Sequence, residues 1–302
     1  MQTMLKLIKL PRILLALAAV LLLVQPAFAG LQIVATTPSL GMLANEIGGD
    51  QVTVRVLAPA DRDVHYLDAR PSYMAAMRRA DLLLHIGAGL EAGWLPAALS
   101  GAANPAINQG RPGDFRAANF VSLRQSKTVQ GPNMGHVHAE GNPHFTIDPQ
   151  RLALLGEALA QRMGQLQPAQ ADLFAEQAAR LADRLNAEAE RLAAQVRPGQ
   201  DYVAYHEDLD YLSEWLPVKV VGYLEPVPGI PPTARHLREL TAQLEDTQGH
   251  VLFAVFQPER GARYLQERLG WSVNPLPLEP AQPTLDSYLA LMAQWAGVFI
   301  HD

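Results

Sequence analysis

A chain of 302 residues, 49% hydrophobic and 18% charged, is long enough for about two globular domains with sizeable cores. The net charge of −6 argues against a nucleic-acid binder, which is usually basic. The absence of cysteine excludes disulfides, zinc ribbons, iron–sulfur clusters, a thiol nucleophile and a lipid-anchor cysteine. No Gly-x-Gly-x-x-Gly, P-loop or basic aromatic patch points to a nucleotide.

In chain order, residues 1–29 read as a cleavable signal peptide. Lys6, Lys9 and Arg12 precede the apolar run Ile13–Val24, and Ala27-Phe28-Ala29 forms a cleavage pattern. The run is shorter than the roughly 18–20 apolar residues a membrane span needs. Loss of three positive and no negative residues takes the mature chain, from Gly30, to a charge of −9. A soluble protein of the periplasm is expected, secreted through the signal and not lipid-anchored.

Strand-like runs follow at Gln32–Ala35, Val52–Leu57, Asp81–Ile86 and Phe120–Leu123, with helical patterns at Leu40–Ile47, Pro71–Ala80 and Leu90–Leu99. Arg124–Gly141 is polar and aperiodic, a long loop carrying His136 and His138. Ala169–Arg197 has neither Gly nor Pro, and Phe174, Leu181, Leu185, Leu192 and Val196 form one apolar stripe, which predicts a single long helix. Strands are expected again at Tyr202–Tyr205, Val218–Tyr223, Val251–Phe256 and Ser272–Leu276, with helices at Ala234–Glu245, Arg260–Leu269 and Leu285–Phe299. This alternation predicts an α/β fold of two lobes, each with a parallel-type sheet flanked by helices, joined by one long rigid connecting helix. The expected boundaries are an N-terminal lobe over 30–167, the connector over 168–198 and a C-terminal lobe over 199–302.

Three of the nine histidines stand where ligands bind in such folds, beyond the carboxyl ends of strands. His65 follows the second strand, His144 lies in Asn142-Pro143-His144 ahead of a helix, and His206 ends the strand over Tyr202–Tyr205. Any one of them alone would read as a hydrogen-bonded structural residue, but three in two lobes can converge in the cleft between them. His85, His236, His250 and His301 read as structural.

The contexts of those histidines carry a resemblance. Asp63-Val64-His65 with Arg70-Pro71-Ser72 is followed by Asn142-Pro143-His144 with Asp148-Pro149, then by Tyr205-His206 with Tyr211-Leu212. Ala80–Gly87 leading to Gly89-Leu90-Glu91, and Pro228–Leu240, fit the same pattern. Over essentially the whole mature chain this resembles the zinc/manganese-specific family of ABC-transporter substrate-binding proteins. The resemblance implies that His65 and His144 bind a metal, and that a histidine at the third position, His206, goes with zinc. Imidazole nitrogens suit Zn²⁺, whereas manganese prefers oxygen-rich shells. The family often adds an Asp after the last strand of the second lobe. Here that stretch, Asn274–Pro280, has none, and Glu279 is taken as the fourth ligand, with Asp286 or a water as the alternatives. His136 and His138, with Glu140, are expected to form a weaker secondary metal site. The resemblance implies delivery of Zn²⁺ to an ABC permease and its ATPase, with a periplasmic zinc chaperone as a further partner of the loop, by a monomer that is not an enzyme.

Manganese or iron is the competing cargo within that class. A zinc hydrolase with Glu207 as general base is the reading from another class, but neither a His-Glu-x-x-His helix nor a nucleophile motif supports it. A surface adhesin of related fold is weakened by the missing anchor cysteine.

Overall fold

The computed structural model describes residues 30–125 and 138–300. The expected signal peptide, His136 and His301 lie outside them. Strand β1 (Leu31–Ala35) pairs in parallel with β2 (Val52–Val56) and β3 (Leu82–His85), and β3 carries β4 (Asp114–Arg116), giving the order β2-β1-β3-β4. The second sheet repeats this plan with β5 (Gln200–Ala204), β6 (Val218–Tyr223), β7 (Gly249–Ala254) and β8 (Ser272–Leu276), in the order β6-β5-β7-β8 and again parallel. Parallel neighbours require crossovers, and helices supply them: α1 (Pro38–Gly48), α2 (Pro71–Met77) and α3 (Leu95–Ala102) in the first half. Between the sheets in sequence come α4 (Pro149–Leu166) and α5 (Ala171–Ala193). In the second half lie α6 (Leu212–Trp215), α7 (Ala234–Gln243), α8 (Arg260–Leu269) and α9 (Leu285–Ile300). The expected two-sheet α/β class is the observed one.

Local chemistry sets these boundaries. Thr37 caps α1 by accepting the Leu40 N–H, with Pro38 in the first turn, where its missing N–H costs nothing. Asp148 caps α4 in the same manner, accepting from Gln150 and Arg151 N–H groups ahead of Pro149. The Asp148-Pro149 motif is thus a helix start.

Two expectations need correction. The fourth strand lies at Asp114–Arg116, not at Phe120–Leu123. Phe115 is the residue whose side chain is fully buried, and Phe120 stacks on it from the surface at 4.6 Å. The apolar run Phe120–Leu123 therefore covers the sheet edge without joining the ladder. The helix expected from Leu90 begins at Leu95, because residues 87–89 all adopt positive φ and break the helical path.

The long helix is present as α5, about 34 Å at 1.5 Å per residue. It ends at Ala193, short of the expected Arg197, and its stripe of Phe174, Leu181, Leu185 and Leu192 is buried as expected. It packs against α4, α1 and α9. The C-terminal helix α9 is also tied to α1, with the Leu285 N–H donating to Glu46 and Asn45 donating to the Pro283 carbonyl. One hydrophobic core runs from β1 through α4 and α5 to Tyr202, Leu252 and Trp295, and a smaller one lies beneath α7 and α8. No helix of the described residues is long and apolar enough to cross a membrane.

Candidate metal centre

The carboxyl ends of the two sheets bring four histidines together. His65 sits in a single 3₁₀ turn after β2, where Asp63 caps the turn by accepting the His65 N–H at 3.0 Å. Trp94 fixes this turn from below, its indole N–H donating to the Val64 carbonyl at 2.9 Å. His144 precedes α4, and its N–H donates to the Asn142 carboxamide oxygen. The same Asn142 donates its amide to the Glu207 carbonyl at 2.7 Å, which ties the His144 turn to the turn after His206. Tyr211 completes the link, donating to the Asn142 carbonyl and accepting the Arg124 N–H. The sequence motifs Asn-Pro-His and Tyr-Leu are thus one hydrogen-bonded joint between the two halves.

His138 is the fourth. The sequence sets it apart as part of a weaker loop site, yet it is only 4% exposed, with its ring 5.2 Å from that of His65 and 5.7 Å from that of His144. Its Nδ1 donates to the carbonyl of Ala88 at 3.1 Å. Ala88 holds a φ of +49° between Gly87 and Gly89, at a cost of about 1 kcal/mol for a non-glycine residue, and this turn presents the carbonyl to His138. The adjoining Glu140 forms an ion pair with Arg116. A clue was available in the spacing, since His138 lies six residues before His144 and Gly141 at φ +122° turns the chain between them.

Hydrogen-bond partners settle the tautomers. Carboxylates and carbonyls only accept, so His65 Nδ1 donates to Asp63 at 2.7 Å, His206 Nδ1 donates to Glu225 at 2.9 Å, and His138 Nδ1 donates to Ala88. In the neutral rings Nε2 is then the lone-pair nitrogen. The Nε2 atoms of His65 and His138 face each other at 3.1 Å, which suits an N–H···N hydrogen bond when one ring carries a second proton, or two nitrogens on one metal ion. Tetrahedral zinc with nitrogens at about 2.05 Å would hold them about 3.3 Å apart. One ring nitrogen from each of His65, His138 and His144 lies within 4.8 Å of the others. The ring of His206 lies 5.5 Å from that of His144 and 6.3 Å from that of His65. His144 Nε2 is buried and has no hydrogen-bond partner among the described residues.

Charge is graded across the cluster. Burial, aided by the neighbouring imidazoles, pushes the His144 pKa well below 6.5, so its lone pair is exposed at neutral pH. Burial would also lower His206, but the Glu225 carboxylate, with Asp208 and Glu207 nearby, outweighs it and raises the group to about 9. Burial works against the Asp63 anion, yet the bonds from His65 hold it below the ordinary carboxylate range.

A cavity of about 50 Å³ adjoins His65, His144 and His206, and Asp208 and Glu279 line it as well. Glu279 is committed elsewhere: one oxygen accepts from the Ser39 N–H and hydroxyl at 2.7 and 2.6 Å, and the other from Thr146 at 3.5 Å. Burial raises its pKa to about 7 against those bonds. Burial likewise raises Asp208 to about 6, opposed by His206 and by the Gln257 amide. Asp286 lies on the first turn of α9, its side chain 92% exposed and paired with Arg184, away from the histidines. Glu207 is buried beside His206. A wider recess of about 680 Å³, lined by Arg62, Tyr66 and Glu225 among others, reaches His65 and His206 from the surface.

The remaining described histidines bond within the fold: His85 with Asp114, His236 with the Tyr223 carbonyl, and His250 with Ser272 and Gln200.

The model of one family, described as zinc-uptake complex component A, periplasmic, matches residues 33–300. The chain is 23% identical to the high-affinity zinc uptake system protein ZnuA of Yersinia pestis, over 94% of this chain and 95% of that protein. A ZnuA deletion mutant with zinc bound superposes with a TM-score of 0.72 at 19% identity, covering 90% of this chain and 99% of the other. The substrate-binding protein FpvC of Pseudomonas aeruginosa, in complex with Mn²⁺, superposes with a TM-score of 0.72 at 20% identity, covering 90% and 97%.

Proposed function

This chain belongs to the family of periplasmic zinc-uptake complex A components, and we propose that it captures Zn²⁺ outside the cytoplasm and hands it to an ABC permease with its ATPase. The observation that carries the zinc reading is the convergence of four imidazoles, three of them held by oxygen acceptors at Nδ1. Relatives of this fold bind zinc or manganese, so the fold does not choose the metal. The proposed donors support zinc: an all-nitrogen shell suits Zn²⁺, while Mn²⁺ and Mg²⁺ favour oxygen. His65, His138, His144 and His206 are the proposed ligands. Glu279, the carboxylate expected from the sequence, accepts two hydrogen bonds from Ser39 and lies 3.5 Å from the Thr146 hydroxyl, and it lines the cavity beside the cluster.

The carboxylates behind His65 and His206 and the carbonyl behind His138 fix those rings and raise their basicity toward the metal. The recess beside His65 and His206 gives the ion a way in. Binding and release need no covalent step, and α5, packed on helices from both halves, restrains their relative motion.

The test is a titration of chelator-stripped protein with zinc and manganese in competition. One zinc that excess manganese fails to displace is the expected result. Tighter manganese binding, or no tight metal, refutes the zinc assignment.

A further inference from the structure

His65 and His144 belong to two overlapping features of the metal centre. With His138 they form the one group of donor nitrogens within 4.8 Å of one another among the described residues. With His206 and Asp208 they line the cavity, in whose lining His138 has no place. Asp208 is only 1% exposed. Its Oδ2 accepts from the Gln257 amide at 2.6 Å, and Gln257 is itself anchored by accepting the Ala254 N–H. Its Oδ1 is fully buried and has no hydrogen-bond partner among the described residues. A buried carboxylate oxygen without a donor costs several kcal/mol unless something positive faces it. Glu279 lines the same cavity but differs, because Ser39 and Thr146 satisfy it.

We propose that Asp208 Oδ1 is an oxygen-donor position for the transported metal, taken up when His138 lets go, so that the ion passes from an all-histidine shell to three histidines and one carboxylate. This rests on the zinc-binding reading above. Both shells are four-coordinate and both are ordinary for zinc. The exchange lets His138, which arrives on the segment after residue 137, leave the ion without stripping it to three ligands. Gln257 acts as a positioning residue, holding Oδ2 so that Oδ1 meets the cavity.

The test is a double-mutant cycle on zinc affinity, measured by chelator competition on the full mature chain. His138→Ala is expected to cost about tenfold, Asp208→Asn about tenfold or less, and the double variant well over 100-fold, because each group covers for the other. A double variant no weaker than His138→Ala overturns the proposal. His144→Ala is measured alongside. If it keeps wild-type affinity, the histidine site itself has failed; if it loses zinc while Asp208→Asn adds nothing to His138→Ala, only the Asp208 assignment has failed. A crystal structure of zinc-loaded His138→Ala protein decides the matter without altering Asp208. A zinc–Oδ1 distance of about 2.0–2.2 Å is expected, and an oxygen from Glu279 or water in that place overturns the proposal.

Discussion

Replacing Glu225 with Gln separates the two things this carboxylate does to His206. It accepts the Nδ1 proton at 2.9 Å, which orients the ring, and this bond, with the charges of Asp208, Glu225 and Glu207, holds the metal-free imidazolium at a pKa of about 9. Zinc needs the neutral ring, so below pH 9 each binding event must expel a proton from His206. At pH 7 the gap of about two units weakens binding about 100-fold, or about 2.7 kcal/mol. The sequence alone places this loss near pH 6.5, the ordinary histidine value; the ion pair moves it upward. Affinity should therefore climb with pH until about 9 and then level. Glu225→Gln keeps a hydrogen-bond acceptor but loses the charge, so the His206 pKa falls, with Asp208 and Glu207 still opposing burial. Against that gain, the ring loses a supporting carboxylate, worth about 10–100-fold in affinity. The two nearly cancel at pH 7, whereas at pH 9.5 only the loss remains. The deficit of the variant should widen as pH rises. Calorimetry at pH 7 in buffers of different ionisation enthalpy counts the protons directly, and wild type should release close to one more than the variant. Equal proton release would refute Glu225 as the group that keeps His206 protonated.

Deletion of Met134–Glu140 should weaken zinc binding, and His138→Ala alone should reproduce most of the loss while His136→Ala leaves affinity unchanged; chelator competition distinguishes the three. Glu279→Gln tests the buried carboxylate through stability. Its folded-state pKa of about 7 exceeds the unfolded value near 4.5, so the folded state holds the extra proton between those limits and stability falls as pH rises through them. The variant, spared about 3 kcal/mol, should melt several degrees above metal-free wild type at pH 8 and match it near pH 4.5. Thermal melts at the two pH values check this, and an unchanged difference would exclude a neutral-range pKa. Asn142→Asp keeps the acceptor for the His144 N–H but sets an oxygen against the Glu207 carbonyl, which should cost about 1–3 kcal/mol in the melting of the metal-free protein at pH 7.

How much of this the sequence carried depends on where each signal lives. The sheets were legible because Val- and Leu-rich runs punctuated by capped helices admit little but parallel crossovers. Thr37 with Pro38 and Asp148 with Pro149 mark helix starts that the structure uses. Phe120–Leu123 misled because an apolar run seals an edge as readily as it joins one, and three-dimensional pairing alone favours Asp114–Arg116. The histidine positions were legible from their strand-end contexts. The burial of His138 was not, since it depends on the Ala88 carbonyl, a backbone group fifty residues away with no sequence signature of its own.

The same reasoning applies to the carboxylates near the cluster. Glu279 follows the last strand and carries the right charge, yet Ser39, 240 residues earlier, donates to it twice. Asp208 lies two residues from His206 and looks like part of a solvated acidic turn, but its chain neighbours and Gln257 bury it with one oxygen left unsatisfied. The hydrogen bonds each carboxylate accepts come from elements distant in the chain, so its surroundings are not read from its position. Hydrogen bonding therefore separates two acids that share one cavity wall, and the unsatisfied Asp208 Oδ1 is the ground on which that residue is proposed as the oxygen donor.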